Sequence, residues 1–134
     1  MVLEKILVVD DEVDVLTLIK IELESEGYQV FTATTGGEAI NKAKQTLPDL
    51  ILMDVILPDM TGGEAIKALK KDPAMSRIPA IFLTALFSKK EEKDHAMLNV
   101  DDHEYLTIAK PFTPGELLTI KKTLGKKGLA GKKN

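Results

Sequence analysis

The sequence predicts an α/β fold: a doubly wound five-stranded parallel sheet with strand order 2-1-3-4-5. Three observations predict it. Five apolar runs of strand length, at 5–9, 29–33, 50–53, 79–83 and 105–109, alternate with stretches of helical period. Four Ser/Thr-x-x-Glu sequences, each following one of those runs, mark helix starts. Four of the runs end in side chains that carry chemistry, as expected where a parallel sheet opens a crevice at its carboxyl edge.

The first run, Lys5-Ile6-Leu7-Val8-Val9, ends in Asp10-Asp11. A helix follows, with Leu16, Ile19 and Leu23 spaced i, i+3, i+7, and Gly27 suits its C-terminal cap. Leu18 and Ile21 fall off that stripe, so the helix is expected to be buried more broadly. The second run is followed by Thr35-x-x-Glu38 and the stripe Ala39-Ile40-Ala43. The third, Leu50-Ile51-Leu52-Met53, is continuously apolar, as a strand covered on both faces should be, and ends in Asp54. Thr61-x-x-Glu64 then opens a helix striped by Ala65, Ile66 and Leu69. The fourth run ends in Thr84, and Ser88-x-x-Glu91 predicts a fourth helix after it. The fifth, Tyr105-Leu106-Thr107-Ile108-Ala109, ends in Lys110. Thr113-x-x-Glu116, with Pro114 at the first helical position, opens a fifth helix along Leu117, Ile120 and Leu124. Right-handed crossovers then place helices on both faces.

A chain of 134 residues is one domain by size. Residues 1–124 are expected to form it, with 125–134 as a lysine-rich tail, disordered or the start of a linker. The absence of cysteine excludes disulfides, zinc–thiolate sites and thiol catalysis. No apolar run approaches the roughly 20 residues of a membrane span, and the N-terminus shows no signal-peptide pattern. The default expectation is therefore a cytoplasmic protein without a membrane partner. The net charge of −3 hides an asymmetry. Residues 121–134 hold six lysines and no acid, which leaves 12 basic against 21 acidic residues in the rest. An acidic body argues against direct nucleic-acid binding.

On parallel strands, Asp10, Asp11, Asp54, Thr84 and Lys110 gather at one edge of the sheet. Packed carboxylates repel, so such a cluster retains a proton or takes a cation. With oxygen ligands alone a hard cation fits, and Mg²⁺ is favoured because it needs few protein ligands and keeps waters. A lysine ammonium and a threonine hydroxyl beside them suit phosphoryl transfer, which asks mainly for positioning and charge neutralisation. A carboxylate can serve as the nucleophile, giving an acyl phosphate.

The residues that carry this chemistry also carry a resemblance. Ile6-Leu7-Val8-Val9-Asp10-Asp11-Glu12, the stretch Asp49-Leu50-Ile51-Leu52-Met53-Asp54-Val55-Ile56-Leu57-Pro58-Asp59-Met60-Thr61-Gly62, Thr84-Ala85 and Lys110-Pro111-Phe112 resemble the receiver domain of bacterial two-component response regulators. The similarity spans residues 3–124 and implies a flavodoxin-like receiver fold. It implies Asp54 as phosphoacceptor, with Mg²⁺ bound by Asp11, by Asp10 mostly through water, by Asp54 and by the backbone carbonyl of Ile56. It implies that Thr84 bonds the phosphoryl group and that Lys110 pairs with its oxygens. The implied donor is a sensor histidine kinase or phosphotransfer protein. Output would come through the fourth helix, fifth strand and fifth helix, by binding a downstream protein or forming a homodimer. Such a domain catalyses its own phosphorylation and dephosphorylation without being an enzyme in the ordinary sense.

The sequence departs from the family pattern in places. The stretch between Thr84 and Lys110 is a few residues longer than usual. The position three before the lysine, normally the switch aromatic, is Thr107, and Tyr105 lies two residues further back. Ile56 and Leu86 are apolar where side chains tune attack of water on the acyl phosphate, so slow dephosphorylation is expected. His95 and His103 are expected to be solvated, and Met53 and Met60 to be packing residues. Other readings share the topology. A Mg²⁺-dependent aspartyl-phosphate phosphatase usually has a second aspartate where this chain has Ile56. A flavin domain needs a phosphate cradle after strand 1, where Asp10-Asp11-Glu12 would repel one. A pseudo-receiver scaffold would not need the complete set of acids, hydroxyl and lysine.

Overall fold

The computed structural model describes residues 3–84, 97–100, 103–110 and 114–133. In chain order the elements are β1 Lys5–Val9, α1 Val13–Ser25, β2 Gln29–Ala33, α2 Gly36–Thr46, β3 Leu50–Asp54, α3 Gly62–Lys70, β4 Ala80–Thr84, β5 Met97–Val100, β6 His103–Ala109 and α4 Pro114–Lys133. They form a six-stranded sheet of order β2-β1-β3-β4-β6-β5. The first four neighbour pairs are parallel, and β5 runs antiparallel to β6.

The doubly wound parallel core is the one expected, with β6 as the fifth strand of the sequence reading. The sixth strand corrects that reading. Its pairing with β6 begins at Val100 with His103. The intervening sequence, Asp101-Asp102, is not the Asn-Gly or Asp-Gly that signals a hairpin. The expected fourth helix, capped by Ser88, lies outside the described residues.

Alternation along each strand divides the core in two. Leu7, Val9, Ile51, Met53 and Phe82 face α2 and α3, against Ala39, Ala43, Ile66 and Leu69. Ile6, Val8, Leu50, Leu52, Ile81 and Leu83 face α1 and α4, against Leu16, Ile19, Leu23, Ile120 and Leu124. Both faces are covered, which is why β3 and β4 are buried at every position and read as unbroken apolar runs.

The helix ends follow local chemistry. Gly27 adopts φ 95°. Its N–H bonds the Glu24 carbonyl, and the Tyr28 N–H bonds that of Leu23, closing α1 with a left-handed cap. Thr61 and Glu64 form the complete capping box, with bonds of 3.1 and 2.9 Å. At α2 only half the expected box forms. Thr35 accepts from the Glu38 N–H at 3.1 Å, but the Glu38 carboxylate reaches past it to the Thr34 N–H. α4 opens at Pro114, as expected, and the Thr113 cap lies outside the described residues. α4 runs past Leu124, the expected domain end, to Lys133. The broader burial expected for α1 does not occur: Leu18 and Ile21 are each 59% exposed, because the contact is limited to the Leu16, Ile19, Leu23 stripe.

Candidate functional site

The switch point between β1 and β3 delivers the acids. β1 ends at Val9, and the Asp10 N–H continues the ladder to the Ala33 carbonyl at 3.1 Å. This draws the Asp10 side chain fully out of solvent. One of its oxygens accepts from the Glu12 N–H at 2.9 Å, and the other takes the Lys110 ammonium at 2.6 Å. Lys110 Nζ is also 3.6 Å from Asp54 and 3.7 Å from Glu12. The lysine thus stands among three carboxylates, two from the end of β1 and one from the end of β3. Burial pushes Lys110 down, but the hydrogen bond to Asp10 and the charges of Asp10, Asp54 and Glu12 outweigh it, and its pKa is raised.

Asp54 closes β3, nearly buried. Its pKa rises from 3.8 to about 6, mainly through burial and then through the negative charge of Asp10, with Lys110 and the Val55 N–H opposing. Thr84 closes β4 with its Oγ1 buried and no hydrogen-bond partner among the described residues. A buried hydroxyl without a partner is costly, so this one stands ready for an acceptor that arrives with a ligand. The Lys110 N–H bonds the Thr84 carbonyl at 3.0 Å and ties the two strand ends together.

The loop after β3 is folded tightly against the site. The Val55 N–H bonds the Leu83 carbonyl at 3.2 Å, and the Gly62 N–H bonds the Val55 carbonyl at 2.7 Å. A Cβ on Gly62 would run into the Asp54 carbonyl oxygen, so only glycine fits there. Asp59 accepts from the Gly36 and Gly37 N–H groups at 2.8 and 2.9 Å, so the loop caps α2. These backbone bonds hold its pKa low. The Ile56 side chain is 72% exposed.

Asp10, Asp54, Thr84 and Lys110 therefore converge as expected, with Asp11 beside them. Asp10, Asp11 and Glu12 offer carboxylate oxygens within 4.8 Å of one another. Sequence reasoning gave no role to Glu12, although it directly follows the aspartate pair. Asp59 was missed because its partners lie 22 and 23 residues away. The signal for Gly62 was present: two glycines opening a helix are poor helix formers and need a packing reason. His103 is exposed, as expected, while Leu86 and His95 lie outside the described residues.

Four carboxylates face one ammonium here. Asp10 and Asp54 are buried and Asp11 and Glu12 exposed, and this excess of negative charge, all on hard oxygen ligands, fits a divalent cation of the magnesium type.

Fold and site define a class: an α/β domain with its acids at the sheet switch point, beside a buried hydroxyl and a lysine. Residues 6–122 match the model of the response regulator receiver domain, and the chain belongs to that family. It is a phosphoacceptor domain of two-component signalling. It is similar to the alkaline phosphatase synthesis transcriptional regulatory protein PhoP of Bacillus subtilis, 44% identical over 115 residues, 85% of this chain and 45% of PhoP. The chain spans about half the length of the curated relatives it matches. The chemotaxis protein CheY4 of Vibrio cholerae superposes with a TM-score of 0.75 at 30% identity, covering 92% of this chain and 99% of that one. A sensor histidine kinase receiver domain from Pseudomonas aeruginosa, solved with magnesium in its active-site cleft, gives the same four values. These likenesses do not favour the phosphatase or scaffold readings. No described helix is long and apolar enough to cross a membrane.

Proposed function

We propose that Asp54 is the phosphoacceptor and that Lys110 and Thr84 complete the transfer site. The observation that carries this reading is the placement of Lys110 Nζ, 2.6 Å from buried Asp10 and 3.6 Å from Asp54. An Asp54 oxygen attacks the phosphorus of a phosphohistidine on a sensor kinase or phosphotransfer protein. The P–N bond breaks, the imidazole leaves with its electron pair and takes a proton, and an acyl phosphate remains. Lys110 pairs with the phosphoryl oxygens, and the Thr84 hydroxyl donates to one of them, giving its buried Oγ1 the partner it lacks.

Asp10, Asp11, Asp54 and the Ile56 carbonyl would hold Mg²⁺, with Glu12 at the rim. The bound ion supplies charge neutralisation for the incoming phosphoryl group. Phosphorylation shifts a pre-existing equilibrium of the β6 and α4 face, through which a downstream protein or a second copy is engaged. Residues 1–124 carry this activity in a cytoplasmic setting, and 125–134 lead away from it. Exposed apolar Ile56 has no group with which to orient water, so the domain's own dephosphorylation is slow.

Intact-mass analysis after incubation with acetyl phosphate tests the assignment. A phosphoryl adduct that requires Mg²⁺ and is absent in Asp54→Asn is expected. An adduct that persists in that variant moves the acceptor elsewhere. A phospho-form that decays within seconds overturns the slow dephosphorylation.

A further inference from the structure

A cleft of about 550 Å³ lies between the C-terminal half of α3, the turn after it and the β5–β6 hairpin. None of the acid-site residues lines it. Its polar wall carries Lys67, Lys70, Lys71 and His103, and its apolar wall Ile66, Val100 and Tyr105. The lysines are spaced i, i+3 and i+4, so one helical face holds three like charges.

None of the three forms an ion pair among the described residues. Lys70 is half-buried, and its ammonium donates to the carbonyls of Ser76 and Ile78 at 2.8 and 2.9 Å. Carbonyls solvate that charge without neutralising it, and burial pushes its pKa down. Among the described residues two acids stand nearby, Glu64, whose pKa the Lys67 charge helps to lower, and Asp72. Glu64 accepts from the Thr61 N–H, and Asp72 accepts from the Ala74 N–H. Three lysines against two neighbouring carboxylates leave the wall net positive, and an anion seated there relieves the remaining repulsion.

We propose that this cleft binds a small phosphorylated molecule, its phosphates against Lys67, Lys70, Lys71 and His103 and its organic part against Ile66, Val100 and Tyr105. Phosphate oxygens offer the multiple charge that three ammonium groups and an imidazole can share. The volume falls within the range of about 300–1,000 Å³ for small-molecule sites. The Tyr105 ring is braced edge-on against Phe82 at 5.4 Å and presents a fixed apolar surface.

Amide NMR of the ¹⁵N-labelled full chain in magnesium-free buffer tests this, with pyrophosphate, ADP and adenosine as probes. Saturable shifts at Lys67, Lys71, Val100 and His103 are expected with pyrophosphate and more tightly with ADP, and none with adenosine. The Lys67→Gln/Lys71→Gln double variant replaces exposed side chains and should keep its spectrum while weakening both by about tenfold. The proposal is overturned by any of four results: no saturable shift at millimolar probe, shifts centred on Asp10 to Glu12, affinity unchanged in the double variant, or ADP no tighter than pyrophosphate.

Discussion

β1 pairs with β2 through five residues and with β3 through four, whereas β4 meets β6 through three, and beyond β6 the sheet turns antiparallel. At the centre of the first region β1 and β3 are buried on both faces, while β6 has only one buried residue, Ile108. The site spans the two regions. Asp10 and Asp54 stand on the deeply packed strands. Thr84 and Lys110 stand at the β4–β6 seam, joined by one backbone bond. Regions with fewer buried contacts open at lower free energy. The acids are therefore fixed, and the groups that answer a charge change at Asp54 sit where the fold yields most easily.

The damaging substitutions should fall in the packed region. Gly62→Ala forces a Cβ into the Asp54 carbonyl and places it 2.9 Å from Met53 Cγ. A loss of about 3 kcal/mol is expected from such overpacking against backbone. Gly36→Ala meets only the flexible Met60 side chain and should cost less. Urea denaturation of both variants checks the order. Equal losses would mean that the loop after β3 yields more readily than its bonds imply.

Cavity formation compares the two regions directly. Leu52→Ala empties a fully buried position on β3, and a loss of roughly 3–4 kcal/mol is expected. Leu106→Ala removes a β6 side chain that is 38% exposed and should cost about 1 kcal/mol or less. Amide exchange should agree, with β1 and β3 exchanging through global unfolding and β5 and β6 through local opening. Equal protection of Leu52 and Leu106 amides would erase the distinction.

The same division separates what the sequence made legible from what it did not. β1, β3 and β4 read directly because burial on both faces leaves an unbroken apolar run, and the polar groups at their ends follow from topology alone. Lys110, just after β6, was legible too, since it ends that run. The hairpin was not, because Asn99, His103 and Glu104 interrupt any strand pattern and the sequence Asp101-Asp102 carries no turn signal. Long-range ties such as Asp59 to α2 leave no local trace. Leu18 and Ile21 show that apolar character on a helix does not decide which face is covered.

Asp54 should reveal how strained the packed region is. Its folded pKa of about 6 lies above the ordinary 3.8, so the folded state holds a proton that the unfolded chain has released. Stability therefore falls as pH rises from 3.8 to about 6, and the full cost persists above that window. Without magnesium, Asp54→Asn should gain on the order of 1–2 kcal/mol at pH 7 and nothing below 3.8. Added Mg²⁺ should shrink the gain, because a cation favours the charged carboxylate. A gain independent of pH would remove burial and the Asp10 charge as its cause.

The smallest effect is expected at the tie between the loop after β3 and α2. Asp59→Ala leaves the N–H groups of Gly36 and Gly37 without their carboxylate acceptor, at the helix end where negative charge is favoured. Both amides can turn to water, so the helix survives and the loop is merely less constrained. Those two bonds hold the Asp59 pKa below 3.8. Its contribution is therefore complete above 3.8 and is lost as pH falls through the lower folded value. Denaturation midpoints of wild type and Asp59→Ala should differ at pH 7 and converge in acid, with phosphoryl uptake at Asp54 retained. A midpoint difference that persists in acid would show that the carboxylate charge does not make the tie. Loss of phosphoryl uptake would show that the acids at the switch point depend on this loop for their position, and not on β1 and β3 alone.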